Sequence, residues 1–401
     1  MMFRDVIGQY EIKKHLVDMV MHNRLSHALL FLAKEGSGGL PLAIAFARYI
    51  MCEKVSGGQG TGSPSLFGEE PAEDLPSSFP PDACGACSSC SKTAALVHPD
   101  IHFSYPVIPR KPGDKPLSAD FISEWRDFVA GQPYGNAYDW LQFIGAENKQ
   151  GNISAHECNE IIRKLSLKSF ESRHKILILW MPEYLGAEGN KLLKLIEEPP
   201  PDTLFILVAE NESLILPTIL SRTQLVKAPP IETIYIEQAM TEKAGISPEQ
   251  ARQIALIAEG NYREAQQLVG EAGDDWEGLL REWLNAILRS GPIAQVKWIE
   301  GMSKQGREKQ KQFLRYFNHL LHQAIRLQVM GDHQLPLPEN ERDFAIRLNK
   351  MAGIAQQQAI IEELDKASYH IERNANGKML FHALTIKLYH IIADKSLILI
   401  G

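Results

Sequence analysis

The chain is 401 residues long, 44% hydrophobic and 23% charged, with a formal net charge of −7. That length accommodates two to three domains with sizeable cores, and the acidic balance excludes a domain-wide basic field gripping phosphate backbones. No apolar run reaches the roughly 20 residues of a membrane span, and Met1-Met2-Phe3-Arg4-Asp5 lacks the apolar core of a secretory signal.

Residues 1–50 read as helix, strand, loop and helix. The apolar strand His27-Ala28-Leu29-Leu30-Phe31-Leu32 runs into Ala33-Lys34-Glu35-Gly36-Ser37-Gly38-Gly39-Leu40, and a helix follows over 41–51. This is the setting of a phosphate loop, which needs glycine turns, a Lys on the β/γ-phosphates and a Ser/Thr hydroxyl on Mg²⁺. Gly36 and Gly38 supply the turns, but Gly39 fills the Lys position and Leu40 the Ser/Thr position. ATP binding by this chain is therefore not expected. Lys34 is the one cation left to an unconventional loop.

Residues 53–82 are rich in Gly, Ser, Pro and acid and read as a flexible insertion. Next comes Cys84-Gly85-Ala86-Cys87-Ser88-Ser89-Cys90, a C-x₂-C-x₂-C run. Thiolates at this spacing converge on one tetrahedral Zn²⁺, and a closed structural site needs a fourth ligand. Cys52, after the first glycine-loop helix, is the leading candidate and His98 the reserve. An iron–sulfur ligand set and three incidental thiols are the competing readings. Five cysteines with three clustered suit a reducing compartment, so a cytoplasmic location is expected.

The stretch 107–152 reads as an insertion, loop-like at its start (Pro109, Pro112, Gly113, Pro116), with a helix near 119–130. An amphipathic helix over 154–166 starts with Ser154 as N-cap and Glu157 at the capping-box position. His156-Glu157-Cys158 is not a nucleophile–base pair, because neighbouring helical residues point about 100° apart.

Lys175-Ile176-Leu177-Ile178-Leu179-Trp180 and Thr203-Leu204-Phe205-Ile206-Leu207-Val208 are short, continuously apolar runs that suit a buried parallel sheet. An ATPase needs an Asp and a Glu after the first of these to hold Mg²⁺ and position water. The chain has Trp180 and Met181 there, with Pro182 before Glu183. Residues 1–228 thus read as a doubly wound α/β domain, with a zinc module over about 52–90 and an insertion over about 107–152. After Pro229-Pro230 the strands stop. Residues 229–275 form a small helical domain and 276–401 an all-helical one, in which Trp276, Leu279, Leu280, Trp283, Leu284, Ile287 and Leu288 make one packing stripe.

The motifs taken together resemble the AAA+ clamp-loader family, nearest its delta-prime branch in bacterial DNA polymerase III. They are Phe3-Arg4-Asp5-Val6-Ile7-Gly8-Gln9, Arg24-Leu25-Ser26-His27-Ala28-Leu29-Leu30-Phe31, the altered glycine loop, the cysteine cluster with His98-Pro99-Asp100, Asn190 through Pro200, Ser221-Arg222-Thr223, and Gly260-Asn261-Tyr262-Arg263-Glu264-Ala265. The resemblance implies an AAA+ domain with a zinc module, a helical lid and a helical collar that joins subunits into a ring. It implies gamma/tau and delta type subunits as partners, with the sliding clamp and primed DNA reached through the complex. This branch does not hydrolyse ATP; it serves as a stator and donates an arginine finger, matched here by Arg222, to the neighbouring ATP site. Thr223 stands where the family has Cys, with little consequence because the Arg does the chemistry. Arg263 matches the lid's sensor Arg. A gamma/tau-like active ATPase using Lys34 is the rival, and a stand-alone zinc DNA-binding protein fits the cysteines but not the charge.

Overall fold

The computed structural model describes residues 1–56, 81–111, 113–146, 150–270, 276–330, 339–372 and 375–393. The chain divides into two units, Met1–Gly270 and Glu271–Gly401. No helix among the described residues is long and apolar enough to cross a membrane.

The first unit is built on a five-stranded parallel sheet of β1 (Ala28–Ala33), β2 (Ile101–Ser104), β3 (Lys175–Trp180), β4 (Thr203–Ala209) and β5 (Gln224–Ala228), in the order β2-β3-β4-β1-β5. Past Lys175 and Thr203, which open β3 and β4, the central strands are apolar because both faces are covered. Leu29, Phe31, Ile176, Ile178, Ile206 and Val208 pack on the face that carries the Gly39–Met51 helix, every residue of which is buried. Ala28, Leu30, Leu177, Leu179, Phe205 and Leu207 pack on the other, against Ile161 and Leu165 of the Ala155–Ser166 helix. Burying one such Leu or Phe contributes about 1.5–3 kcal/mol.

The three helices Thr233–Ala244, Pro248–Ile257 and Tyr262–Gly270 close on Ile236, Met240, Ala251, Ala255, Tyr262 and Ala265, and they belong to the first unit. The expected flexible insertion over 53–82 lies mostly outside the described residues. Its first residues, Glu53–Ser56, make a helical turn, and Asp82 accepts hydrogen bonds from the Phe3 and Arg4 amides at 3.1 and 3.0 Å.

Two readings are refined. The 107–152 stretch begins without regular structure and carries the expected helix, at Ile122–Gly131, but a second, Ala137–Phe143, follows, and the two enclose Trp125 and Trp140, both 0% exposed. Its rings join the domain core, with Tyr105 stacked on Trp125 at 4.0 Å and Trp125 against Trp180 at 5.2 Å. The expected capping box is only half made. Ser154 accepts from the Glu157 amide at 3.3 Å, but the buried Glu157 carboxylate accepts from the Ser118 amide at 2.9 Å and so anchors the insertion instead.

The second unit is helical throughout its described residues, from Trp276–Asn285 to Gly377–Ala393. The stripe read from sequence is its core: Leu280, Trp283, Leu284 and Ile287 are buried. Trp283 stacks on Trp298 at 4.7 Å, and its indole N–H donates to Thr385 Oγ1 at 3.0 Å.

Candidate functional site

In an open parallel sheet, ligands bind beyond the carboxyl ends of the strands. In this chain that position is bounded by Ala33, Gly36, Gly38, Gly39, Leu40, Trp180, Met181, Val208 and Glu210, together with Pro133, Tyr134 and Gly135 of the insertion. The room there for a water-sized sphere is about 20 Å³, close to what a single water needs. Gly38 caps the Gly39–Met51 helix at φ +88°, and a Cβ there would meet the Tyr134 ring at 3.0 Å. A Cβ on Gly39 would lie 2.8 Å from the Ala33 Cβ and 3.1 Å from Val208 Cγ1, so the Lys position has no room for a side chain. A Cβ on Gly36, which sits at φ +68°, would lie 1.8 Å from Asn261 Oδ1. Gln9 draws the loop in by donating to the carbonyls of Ser37 (3.0 Å) and Pro229 (2.6 Å). Tyr134 is fixed by the Ile7 amide, which donates to its hydroxyl at 2.8 Å, and by an edge contact with Tyr262 at 4.8 Å.

Arg263 reaches the glycine loop through Glu35 and is 4% exposed. Its guanidinium grips the Asp139 carboxylate with two parallel bonds, one of 2.6 Å from Nη2, and donates from Nη1 to Glu35 at 3.0 Å. Glu183, the nearest acid after β3, has its Oε1 spent on the amides of Glu210 (2.6 Å) and Asn211 (2.9 Å). Burial raises its carboxyl above the ordinary range. Of these acids Glu210 lines the cavity, as does Lys34; Glu35, Asp139, Glu183 and Arg263 stand behind it, near enough to act on the Glu210 charge.

Burial and then the charges of Glu35 and Glu183 push the Glu210 carboxyl from 4.5 up to about 8. The folded chain therefore keeps a proton there that the unfolded chain releases near pH 4.5, and stability falls as pH rises between those values. Glu210→Gln is expected to raise the melting temperature at pH 8 and to leave it unchanged at pH 4. After allowance for partial exposure the gain is on the order of 1 kcal/mol. Calorimetry showing equal gains at both pH values would contradict this.

The cysteines converge elsewhere in the same unit. The sulfurs of Cys52, Cys84, Cys87 and Cys90 all lie within 4.8 Å of one another; a tetrahedral zinc with Zn–S of about 2.3 Å needs S···S of about 3.8 Å. Cys84 and Cys90 are already 3.9 Å apart. Backbone amides favour thiolates at three of the four sulfurs: the Cys84 amide donates to Cys52 Sγ (3.3 Å), the Cys87 amide to Cys84 Sγ (3.4 Å) and the Cys90 amide to Cys87 Sγ (3.4 Å), while burial pushes the Cys90 thiol up to about 12. Amide hydrogen bonds, from Ala86 first and Cys87 next, lower the Cys84 thiol to about 6. Cys87 also caps the Ser88–Ala94 helix, and Gly85, at φ +72°, brings the turn against Met2. These four residues can hold one metal ion in a closed set. His98 stands apart from them: its Nδ1 accepts from the Asp100 amide and its Nε2 faces Ser172 Oγ at 3.2 Å. Cys158, also buried, donates to the Glu188 carbonyl at 3.6 Å and makes no pair with His156.

Arg222 lies in the turn between the Pro217–Leu220 helix and β5. Gln224 pairs with Leu29 and Ala228 with Ala33 in register. Arg222 is therefore level with His27, at the amino end of the sheet, while the glycine loop lies beyond its carboxyl end. The separation is about 20 Å at roughly 3.3 Å per residue. The side chain is a third exposed and rests on Glu197, donating also to the Thr218 carbonyl (2.8 Å) and Ser221 Oγ (3.2 Å).

Tyr134, Asp139 and Glu210 were not legible as site residues. The Asn136…Asp139 spacing is an N-terminal helix signal, and Asn136 Oδ1 does accept from the Asp139 amide at 2.9 Å. Nothing local, however, indicates that the helix ends under Arg263.

Residues 8–232 match the family model described as DNA polymerase III, delta subunit. Three curated relatives are similar. The delta-prime subunit of Bacillus subtilis is 26% identical over 261 residues, covering 65% of this chain and 59% of that one. The tau subunit of Bacillus subtilis is 24% identical over 329 residues, covering 80% and 46%. The delta-prime subunit of Escherichia coli is 24% identical over 316 residues, covering 78% and 73%. The chain therefore spans less than two-thirds of either Bacillus relative. With the matched segment taking in more than half of its residues, this chain belongs to the DNA polymerase III delta-subunit family of AAA+ clamp-loader proteins.

Proposed function

We propose that the chain is a non-hydrolysing, delta-prime-like clamp-loader subunit, a stator in a ring with gamma/tau and delta type subunits that places the sliding clamp on primed DNA. In this reading 229–275 is the lid and 276–401 the collar that joins the ring. Arg222 is the arginine finger for a neighbour's ATP site, and Cys52, Cys84, Cys87 and Cys90 hold a structural Zn²⁺.

One observation carries the reading: the two ends of one sheet have opposite character. At the carboxyl end a water-sized sphere finds about 20 Å³ of room, and Glu210 stands on the wall where a triphosphate needs cations. At the amino end, about 20 Å away by the strand rise, Arg222 is partly exposed with its guanidinium held only by surface groups. An Arg so placed cannot reach its own chain's glycine loop; in this reading it acts on phosphates bound by another subunit.

The rival reading, a gamma/tau-like ATPase, has Lys34 on the cavity wall in its favour. Against it stand Gly39, Leu40, Trp180, Met181 and Glu210 on the same wall. The test is equilibrium binding of labelled ATP with Mg²⁺ to the purified full chain, alongside affinity capture from cell extract. No saturation, no turnover and recovery of polymerase holoenzyme subunits are expected. Micromolar affinity with turnover overturns the assignment.

A further inference from the structure

The insertion occupies the place of a ligand. Pro133, Tyr134 and Gly135 close the cavity above Gly38, and Asp139 meets Arg263 in the two-bond fork that a guanidinium makes equally with carboxylate or phosphate. Three separate parts of the first unit meet there: the glycine loop through Glu35, the insertion through Asp139 and the Tyr262–Gly270 helix through Arg263. The backbone continues the same clasp, because the Tyr262 amide donates to the Gly36 carbonyl at 3.1 Å. The Asn261 side chain bridges toward Glu35 at 3.3 Å.

We propose that the segment 133–143 is the resident ligand of this site, an internal substitute for nucleotide that holds the lid shut whether or not ATP is present. The Asp139 carboxylate takes the place of the terminal phosphate, and the Tyr134 ring covers the glycine loop. A lid Arg that a bound phosphate would otherwise engage is permanently satisfied by its own chain, so the lid has one position, as a stator requires. This inference rests on the reading that the site takes no nucleotide.

Amide hydrogen exchange on the full-length chain tests it, with and without ATP and Mg²⁺. In the unaltered protein, nucleotide is expected to change nothing at residues 36–42 and 262–270. Arg263→Gln removes the fork and is expected to raise exchange in both segments at least tenfold, leaving 276–285 in the second unit unaffected. Asp139→Asn should open the same segments, and the double variant should be no looser than Arg263→Gln alone, because Arg263→Gln already removes the Asp139 fork together with the Glu35 bond. Arg263→Lys keeps the charge and loses the fork; it guards against simple loss of folding and should open the same two segments. Unchanged exchange at 36–42 and 262–270 in Arg263→Lys and Asp139→Asn overturns the internal-ligand proposal while leaving the non-hydrolysing assignment intact. New protection of those segments by ATP in the unaltered protein overturns both, and micromolar ATP binding with turnover marks the failure as that of the assignment itself.

Discussion

Cys90→Ser is expected to strip the metal from the full-length chain and to unfasten its amino terminus. Cys90 is the most enclosed sulfur of the four together with Cys52, both 0% exposed, so neither water nor a neighbouring side chain can take over as ligand. The cluster does more than close a local turn. Met2 packs on Cys52 and Cys90, Asp82 beside the cluster holds the Phe3 and Arg4 amides, and Phe3 is buried against Phe46 and Tyr49. Loss of the metal therefore reaches the domain core through residues 1–7, and from Ile7 to Tyr134 above the glycine loop. Destabilisation on the order of 3 kcal/mol or more is expected, since ligand loss removes binding energy that is also folding energy. The check is metal content of the purified protein beside its thermal unfolding. The unaltered chain should carry one zinc, Cys90→Ser none, and Cys158→Ala one, because Cys158 bonds only to the Glu188 carbonyl far from the cluster. Equal zinc in the unaltered and Cys90→Ser chains would remove this metal assignment.

What the sequence disclosed and what it withheld divide along a physical line. Strands β1, β3 and β4 are sandwiched on both faces, so past Lys175 and Thr203 their residues are apolar without interruption and stand out. Strand β5 is the sheet's edge: Gln224, Leu225 and Lys227 are exposed and only Val226 and Ala228 are buried. It therefore has no continuous run to read. Strand β2 is four residues with His102 and Ser104 among them, too short and polar to declare itself. The cysteine spacing named three ligands because they are local. Cys52 and His98 could not be told apart by sequence, and the fold separates them. The Arg263 contacts were hidden for a related reason: Arg263 meets Asp139 across 124 positions and Glu35 across 228, and charges so distant leave no pattern. The glycine loop showed which groups were missing, but not that a segment of the same chain had taken their space.

Arg222→Ala is expected to leave a reconstituted clamp-loader complex assembled and to cut its DNA-stimulated ATP hydrolysis. The two halves of that expectation have different physical grounds. Within its own chain Arg222 contributes little: its partners Glu197, Ser221 and the Thr218 carbonyl are at the surface, where such pairs are worth about 0–1 kcal/mol. Folding and ring formation should therefore survive the change. At a neighbour's γ-phosphate the same guanidinium would stabilise charge that develops in the transition state, and an engaged arginine finger contributes about 10³-fold or more to turnover at that site. The whole complex slows by less, because sites completed by other subunits continue to work. Arg222→Lys should not restore the rate, since an ammonium lacks the planar fork that spans two phosphate oxygens. Glu197→Gln separates positioning from chemistry: it frees the guanidinium from its carboxylate partner, should change the rate far less than Arg222→Ala, and should leave assembly untouched. Steady-state hydrolysis with primed DNA and clamp, normalised to complex recovered by gel filtration, reads all three variants. A rate for Arg222→Ala equal to that of the unaltered complex means that the neighbouring site draws its finger from another residue, and that Arg222 does no more than pack beside Glu197.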